Sequence, residues 1–265
     1  MSLHEFLKED PQCKRLAEGA VHAVAPLLDE VDSSVVLEEL DHWAHRLACR
    51  MPLPWNFHAA IDEVNRFLFQ DLGFIGDRQT YDDPRNSLLP MVIERRRGLP
   101  ISLCILWIEL ARRMGFQAVG VGLPGHFICG IENDGMGLLL FDPFNGGSPV
   151  GHETAARLVQ QATGRPDAFH PRMLKATPGR TILARLVRNL HVRFLRSEVW
   201  DEALWTSTHL ILLEPGDPQP LKERAIVHLR RGEPDAAQKD LEEALEQTQD
   251  PDPELEAWLE HLKSK

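Results

Sequence analysis

Apolar positions recur at spacings of three and four along residues 14–50 and 57–71, the period of an amphipathic helix. In the second stretch Ile61, Val64, Phe67 and Leu68 carry the stripe, and Gly73 stands where a residue closing the helix belongs. The cluster "DDPRNS" at 82–87 reads as a turn, with Ser87 as N-cap of a helix running to Arg97. Gly98-Leu99-Pro100 interrupts it, and the next helix extends to about Met114. Ile101, Leu103, Ile105, Leu106, Trp107, Ile108 and Leu110 point all round that helix, which is the pattern of a buried, central one. Beyond Gly115 the period changes to short apolar stretches at 117–123, 127–131 and 138–142, read as strands. A further helix is expected at 152–163, and "PDAFHPRMLKATPGR", residues 166–180, reads as a linker.

From Thr181 the pattern is helical to the end and repeats itself. Val187, Ala203 and Leu210 stand to Leu221, Ala237 and Ala244 at a constant offset of 34 residues, the tetratricopeptide period. Pro215 closes the first unit and Gly232 sits in the turn of the second, while Pro234 stands where the first unit has Trp200. Two repeats seldom bury enough surface alone, so this tail is expected to lean on the N-terminal part, with 253–263 as a capping helix. The expected division is 1–165, a linker at 166–180, and 181–265.

The chain has 265 residues, of which 43% are hydrophobic and 26% charged, enough for a sizeable core and free of a disorder signal. A net charge of −11 argues against a general nucleic-acid binder, which needs a basic face. The longest apolar run, 101–108, is too short to span a bilayer. Cys13, Cys49, Cys104 and Cys129 form no CxxC pair, and the N-terminus carries no signal segment, so a cytoplasmic location with reduced thiols is expected. No phosphate loop or dinucleotide fingerprint is present, and His42 and His45, though on one helix face, lack a third ligand motif; neither a cofactor nor a metal is expected. The basic run "ERRRG" at 94–98 reads as compensation of a helix dipole or internal ion pairing, with an anion site as the alternative.

Candidate chemistry lies in "GLPGHFICGIENDGMGLLLFDPF". A hairpin with Asn133-Asp134-Gly135 at its tip sets His126 directly opposite Asp142, with Cβ atoms roughly 5 Å apart on the sheet face toward the 100–114 helix. An imidazole beside a carboxylate is the base and its orienting group; it is also an ordinary cross-strand ion pair. The nucleophile for such a pair is Cys104, near the start of the central helix. If Pro100 is the first helical residue, Cys104 is the fifth and lies in the core. If Ser102 is the N-cap, Cys104 is the second and gains the helix dipole. A central helix on an antiparallel sheet that bears His and Asp is a papain-like α+β plan, so the fold class is α+β with a C-terminal all-α repeat tail.

"RRRGLPISLCILWIELARRMGF", "VGLPGHFICGI" and "LFDPFNGG", followed by a tetratricopeptide tail, resemble the bacterial SirB family. The resemblance runs from about Val35 to the C-terminus and is strongest over 82–147. It implies a transglutaminase-like core coupled to repeats, with no settled activity, and a protein or peptide partner taken through the tail or the cleft. In active transglutaminase-like enzymes a thiol follows a glycine by two residues, with histidine and an Asp-Pro further on. His126 and Asp142-Pro143 match the latter two, whereas Pro100 stands where the thiol belongs. By the same resemblance, Arg85 or Asn86 of the "DDPRNS" turn stands near the cleft. Two functions follow as expectations: a protein-binding or regulatory module with a degenerate triad, or a cysteine-dependent amide hydrolase or acyl transferase using Cys104, His126 and Asp142.

Overall fold

The computed structural model describes residues 1–28, 32–51, 57–133, 137–248 and 252–263. It divides into two compact units, Met1–Ile182 and Leu183–Lys265.

The first unit opens with α1 (Leu3–Glu9), α2 (Leu16–Ala23), α3 (Ser33–Ala48) and α4 (Phe57–Arg66), the last continuing as a π-turn over Phe67–Asp71. The periodicity of 14–50 is thus divided between α2 and α3. A short strand β1 (Ile75–Gly76) precedes a 3-10 turn at Pro84–Ser87, then come α5 (Leu89–Arg95) and β2 (Arg97–Gly98). Ser87 belongs to the 3-10 turn and Leu88 occupies the N-cap, because Asp83 already caps the preceding turn by accepting from the Arg85 N–H. β1 and β2 pair in parallel through two residues each, a contact too short to leave a periodic trace in the sequence.

The central helix α6 (Pro100–Arg113) is buried at every position from Pro100 to Ala111. It packs on a four-stranded antiparallel sheet of β3 (Ala118–Leu123), β4 (His126–Asn133), β5 (Gly137–Asp142) and β6 (Ser148–Pro149), in that spatial order. α7 (His152–Thr163) covers one face, where Val121, Leu123, Ile128, Leu140 and Val150 close on Ala155 and Val159. The expected strands and the helix at 152–163 are therefore present. The hairpin register differs from expectation. Cys129 pairs with Phe141 and Asn133 with Gly137, which sets Ile128, not His126, opposite Asp142. Of the expected turn at Asn133-Asp134-Gly135, Asn133 is the last residue of β4, and 134 and 135 lie outside the described residues.

Residues 166–180 hold a 3-10 turn at Pro171–Met173, and Thr177 bridges the outer edge of β3 at Gly120. Ala168, Phe169, Met173 and Leu174 pack against the α7-side core.

The second unit is all helical: α8 (Gly179–Arg196, which begins in the first unit), α9 (Trp200–Leu213), α10 (Gln219–Arg230), α11 (Pro234–Gln247) and α12 (Pro253–Lys263). All six repeat positions, Val187, Ala203, Leu210, Leu221, Ala237 and Ala244, are fully buried. Alanine at three of these points, 203, 237 and 244, lets adjacent helices approach closely. Trp200 and Pro234, the mismatch between the repeats, both stand at the first position of their helices, where proline's missing N–H costs nothing. Leu255 and Leu259 of α12 bury against the last helix pair. The fold is α+β, a helix-on-sheet core followed by a repeat tail.

Candidate active site

Asp142 ends β5 and caps the 3-10 turn that follows. Its Oδ1 accepts from the N–H groups of Phe144 at 3.1 Å and Asn145 at 3.3 Å. Its Oδ2 accepts from Asn145 Nδ2 at 2.6 Å and meets His126 Nε2 at 2.8 Å. The carboxylate is thus held at both oxygens before the imidazole arrives. His126 and Asp142 side chains are 11% and 3% exposed, so the contact is shielded from bulk water.

The two residues meet although the register moved. A shift of two residues preserves the face, so they sit on a diagonal beyond the last β4–β5 pair. The expected orientation needs correction. Alternation gives His126 and Asp142 the phase of Ile128 and Leu140, which pack toward α7. Phe127, Cys129 and Phe141 hold the phase of α6, where Trp107 stacks on Phe141 with ring centroids 5.5 Å apart.

The imidazole is also placed by aromatic contacts. The Phe144 ring meets it edge-on at 6.1 Å, and the Arg78 guanidinium lies over the same Phe144 ring, 5.1 Å from its centroid. Arg78 also donates to Asn145 Oδ1, and Tyr81 packs edge-on against Phe144 at 6.0 Å. Phe144 lies so close to Gly76 that a Cβ there would meet its ring at 2.5 Å, so β1 must be bare at this point. Arg78, Phe144 and Asn145 were not singled out by sequence. Phe144 and Asn145 leave a trace in the run Asp-Pro-Phe-Asn, whose role depends on the turn that Asp142 caps, and Arg78 leaves none. Nε2 is the ring nitrogen that faces Asp142, and a neutral imidazole that donates there carries its lone pair on Nδ1.

Pro100 is the first residue of α6 and Leu99 its N-cap, so Cys104 is the fifth helical residue. Ser102 does not cap the helix. Its hydroxyl, fully buried, donates to Asn86 O at 2.7 Å and lies 3.1 Å from Leu99 O. Cys104 is 0% exposed and its thiol points at Phe127 O, 3.5 Å away. It also hydrogen-bonds the thiol of Cys129, whose acidity burial suppresses most and the Asp142 charge further, so that its pKa is raised. All four cysteines are thiols, and Cys49 is the exposed one.

Asn86 faces inward and supports the start of α6. Its side chain donates to Thr80 O at 2.7 Å and accepts from Arg95 Nη1 at 3.2 Å. Arg85 points outward, paired with Asp83. The basic run at 94–98 is spent internally. Arg95 pairs with Asp77 and Asp83, while Arg96 lies over the rings of Trp43 and Phe74. His45 Nε2 lies 3.8 Å from Cys49 Sγ, and among the described residues no three His, Cys, Asp or Glu side chains converge as a metal site. Nor is any described helix long and apolar enough to cross a membrane.

A family model described as the transglutaminase-like superfamily matches residues 34–188, and a tetratricopeptide repeat model matches 190–257. A UPF0162 protein of Xylella fastidiosa is 41% identical over 186 residues, covering 69% of this chain and 66%, just under two thirds, of the relative. UPF0162 protein PA3419 of Pseudomonas aeruginosa is 30% identical over 259 residues, 95% of this chain and 90% of the relative. UPF0162 protein YchA of Escherichia coli is 23% identical over 88% of this chain and 86% of its own length. No solved structure matches. The helix-on-sheet core with its His–Asp pair, the repeat tail and these matches together make the chain a member of the UPF0162 family, a transglutaminase-like protein with tetratricopeptide repeats.

Proposed function

We propose that this protein is a binding or regulatory module of the SirB type, cytoplasmic, which keeps the base and orienting group of a transglutaminase-like triad without a working nucleophile. The observation that carries the reading is the depth of Cys104: fifth in its helix, fully buried, its thiol turned to a backbone carbonyl. A thiol so placed is past the first turn, where the helix dipole acts, and burial disfavours the thiolate. Proline at position 100 occupies the place of the thiol in active relatives of the superfamily, which supports the same conclusion. Tetratricopeptide repeats in general mediate protein–protein interaction, so the partner is a protein or peptide, taken by the tail or by the cleft beside His126.

The second reading, a cysteine-dependent amide hydrolase or acyl transferase using Cys104, His126 and Asp142, is supported by the 2.8 Å imidazole–carboxylate contact. An alkylation time course at neutral pH separates the two. Exposed Cys49 serves as the internal reference for a reactive surface thiol. Cys104 is expected to stay unmodified while Cys49 is consumed, in the wild type and in His126→Ala alike. Fast modification of Cys104 that slows in His126→Ala would establish the enzyme reading instead.

A further inference from the structure

A second site lies within the first unit, apart from the His126–Asp142 pair. A cavity of about 460 Å³ opens between the loop after α1, the end of α6, the outer edge of β3 and the segment leading into α8. That volume falls in the range of small-molecule sites. Lys14, Arg112 and Arg180 contribute three cationic side chains to its lining, and no lining residue is acidic. In a chain of net charge −11, such a concentration of one sign is not the background composition.

The wall holds one of these charges, Arg112, in place. Arg112 donates through Nε to Ala118 O and through Nη1 to Lys14 O, both at 3.0 Å, which ties its guanidinium to the rim; Glu109 stands 3.9 Å away. Two of five guanidinium donors are so used, and the fork remains charged. Thr177 seals the adjacent strand edge, donating its N–H to Gly120 O at 2.7 Å and accepting from Gly122 N at 2.9 Å. Gly179 presses on the loop so closely that a Cβ would meet Cys13 O at 2.3 Å. The Cys13 thiol, raised to about 11 by burial and then by Asp10, is protonated at neutral pH and adds no negative charge. Asp10 itself is engaged by Arg15, whose N–H donates to it at 2.8 Å. Of the rest of the lining, Gln12 is polar, and Pro11, Val119, Pro178 and Ile182 form an apolar wall.

From this juxtaposition we infer that the cavity binds a phosphomonoester: the phosphate dianion against Lys14, Arg112 and Arg180, the organic body against the apolar wall. Three cations exceed what a monocarboxylate needs, and the apolar wall gives an ester an advantage over free phosphate. Titration calorimetry on the full chain with inorganic phosphate, phenyl phosphate and ionic-strength-matched sodium chloride tests it. Phenyl phosphate is expected to bind saturably and several-fold more tightly than inorganic phosphate, with no saturable heat from chloride. Lys14→Ala combined with Arg180→Ala is expected to weaken both probes ten-fold or more, and Lys14→Glu alone, at an exposed position, to weaken them in the same direction. Arg85→Ala, at a cation remote in sequence from this lining, should leave them unchanged. Absence of saturable binding, equal affinity for the two probes, or wild-type affinity in the Lys14 and Arg180 variants would each overturn the assignment.

Discussion

Cys13 holds a left-handed backbone angle, φ 52°, with its side chain 1% exposed. Burial lifts its pKa from 9.0 to about 11. Because the folded thiol binds its proton more tightly than the unfolded one, the associated stability is fully present below pH 9 and disappears as pH rises to 11. Two pH units of difference correspond to roughly 2–3 kcal/mol. Chemical unfolding at pH 8.5 and pH 11 is expected to show a loss of that order in the wild type, and a smaller one in Cys13→Ala. The same scale shows what was legible at the candidate site. His126 and Asp142 could be paired from spacing because a two-residue slip keeps both on one face. Phe144 and Asn145 could not, since their positions follow from a turn that the Asp142 carboxylate itself organises.

α2 has no side-chain cap from its own N-cap residue, Arg15. The acceptor comes instead from α6: Glu109 Oε1 takes the N–H groups of Leu16 at 3.0 Å and Ala17 at 3.2 Å. Arg113 Nη1 donates to the other oxygen at 2.6 Å. Glu109 is 6% exposed, so its removal strands two helix N–H donors in low dielectric and leaves Arg113 with Asp41 as its carboxylate partner. Glu109→Ala is expected to cost about 2–4 kcal/mol in urea unfolding, and Glu109→Gln, which keeps an acceptor, less. No local pattern announces such a cap, because donor and acceptor stand 93 residues apart in the chain. Period-based reading found α4, α6 and α7 and the main strands, whose burial is one-sided or complete over many residues. It missed β1 and β2, which pair over two residues each.

At the scale of the molecule, the repeat tail draws on few layers. Its core joins Leu221, Ala225, Ala237, Leu241 and Ala244 to Leu255 and Leu259, while Val192, Val199 and Leu229 remain more than a third exposed. Inside it, Arg224 reaches Asp240 through two hydrogen bonds at 2.8 and 2.6 Å. A unit of two repeats and one further helix has few nearest-neighbour interfaces to sum. The fragment 183–265, which also lacks the first turn of α8, is therefore expected to melt broadly or to aggregate. A sharp two-state transition of that fragment as a monomer would count against the expectation.

The amino-acid sequence by itself determined the fold class, the central helix, the three main strands and the repeat period, because each is written in burial that recurs at 2.0, 3.6 or 34 residues. It also brought His126 and Asp142 together, through strand alternation. Tertiary structure alone decided the rest. Whether Cys104 is second or fifth in its helix turned on Asn86, whose carbonyl takes the Ser102 hydroxyl and so leaves Leu99 as the cap. The cationic cavity depends on Lys14, Arg112 and Arg180, which no motif links and which only the packing of α8's start against the loop after α1 brings to one wall. Contacts of this kind join residues far apart in the chain, and a one-dimensional period cannot encode them.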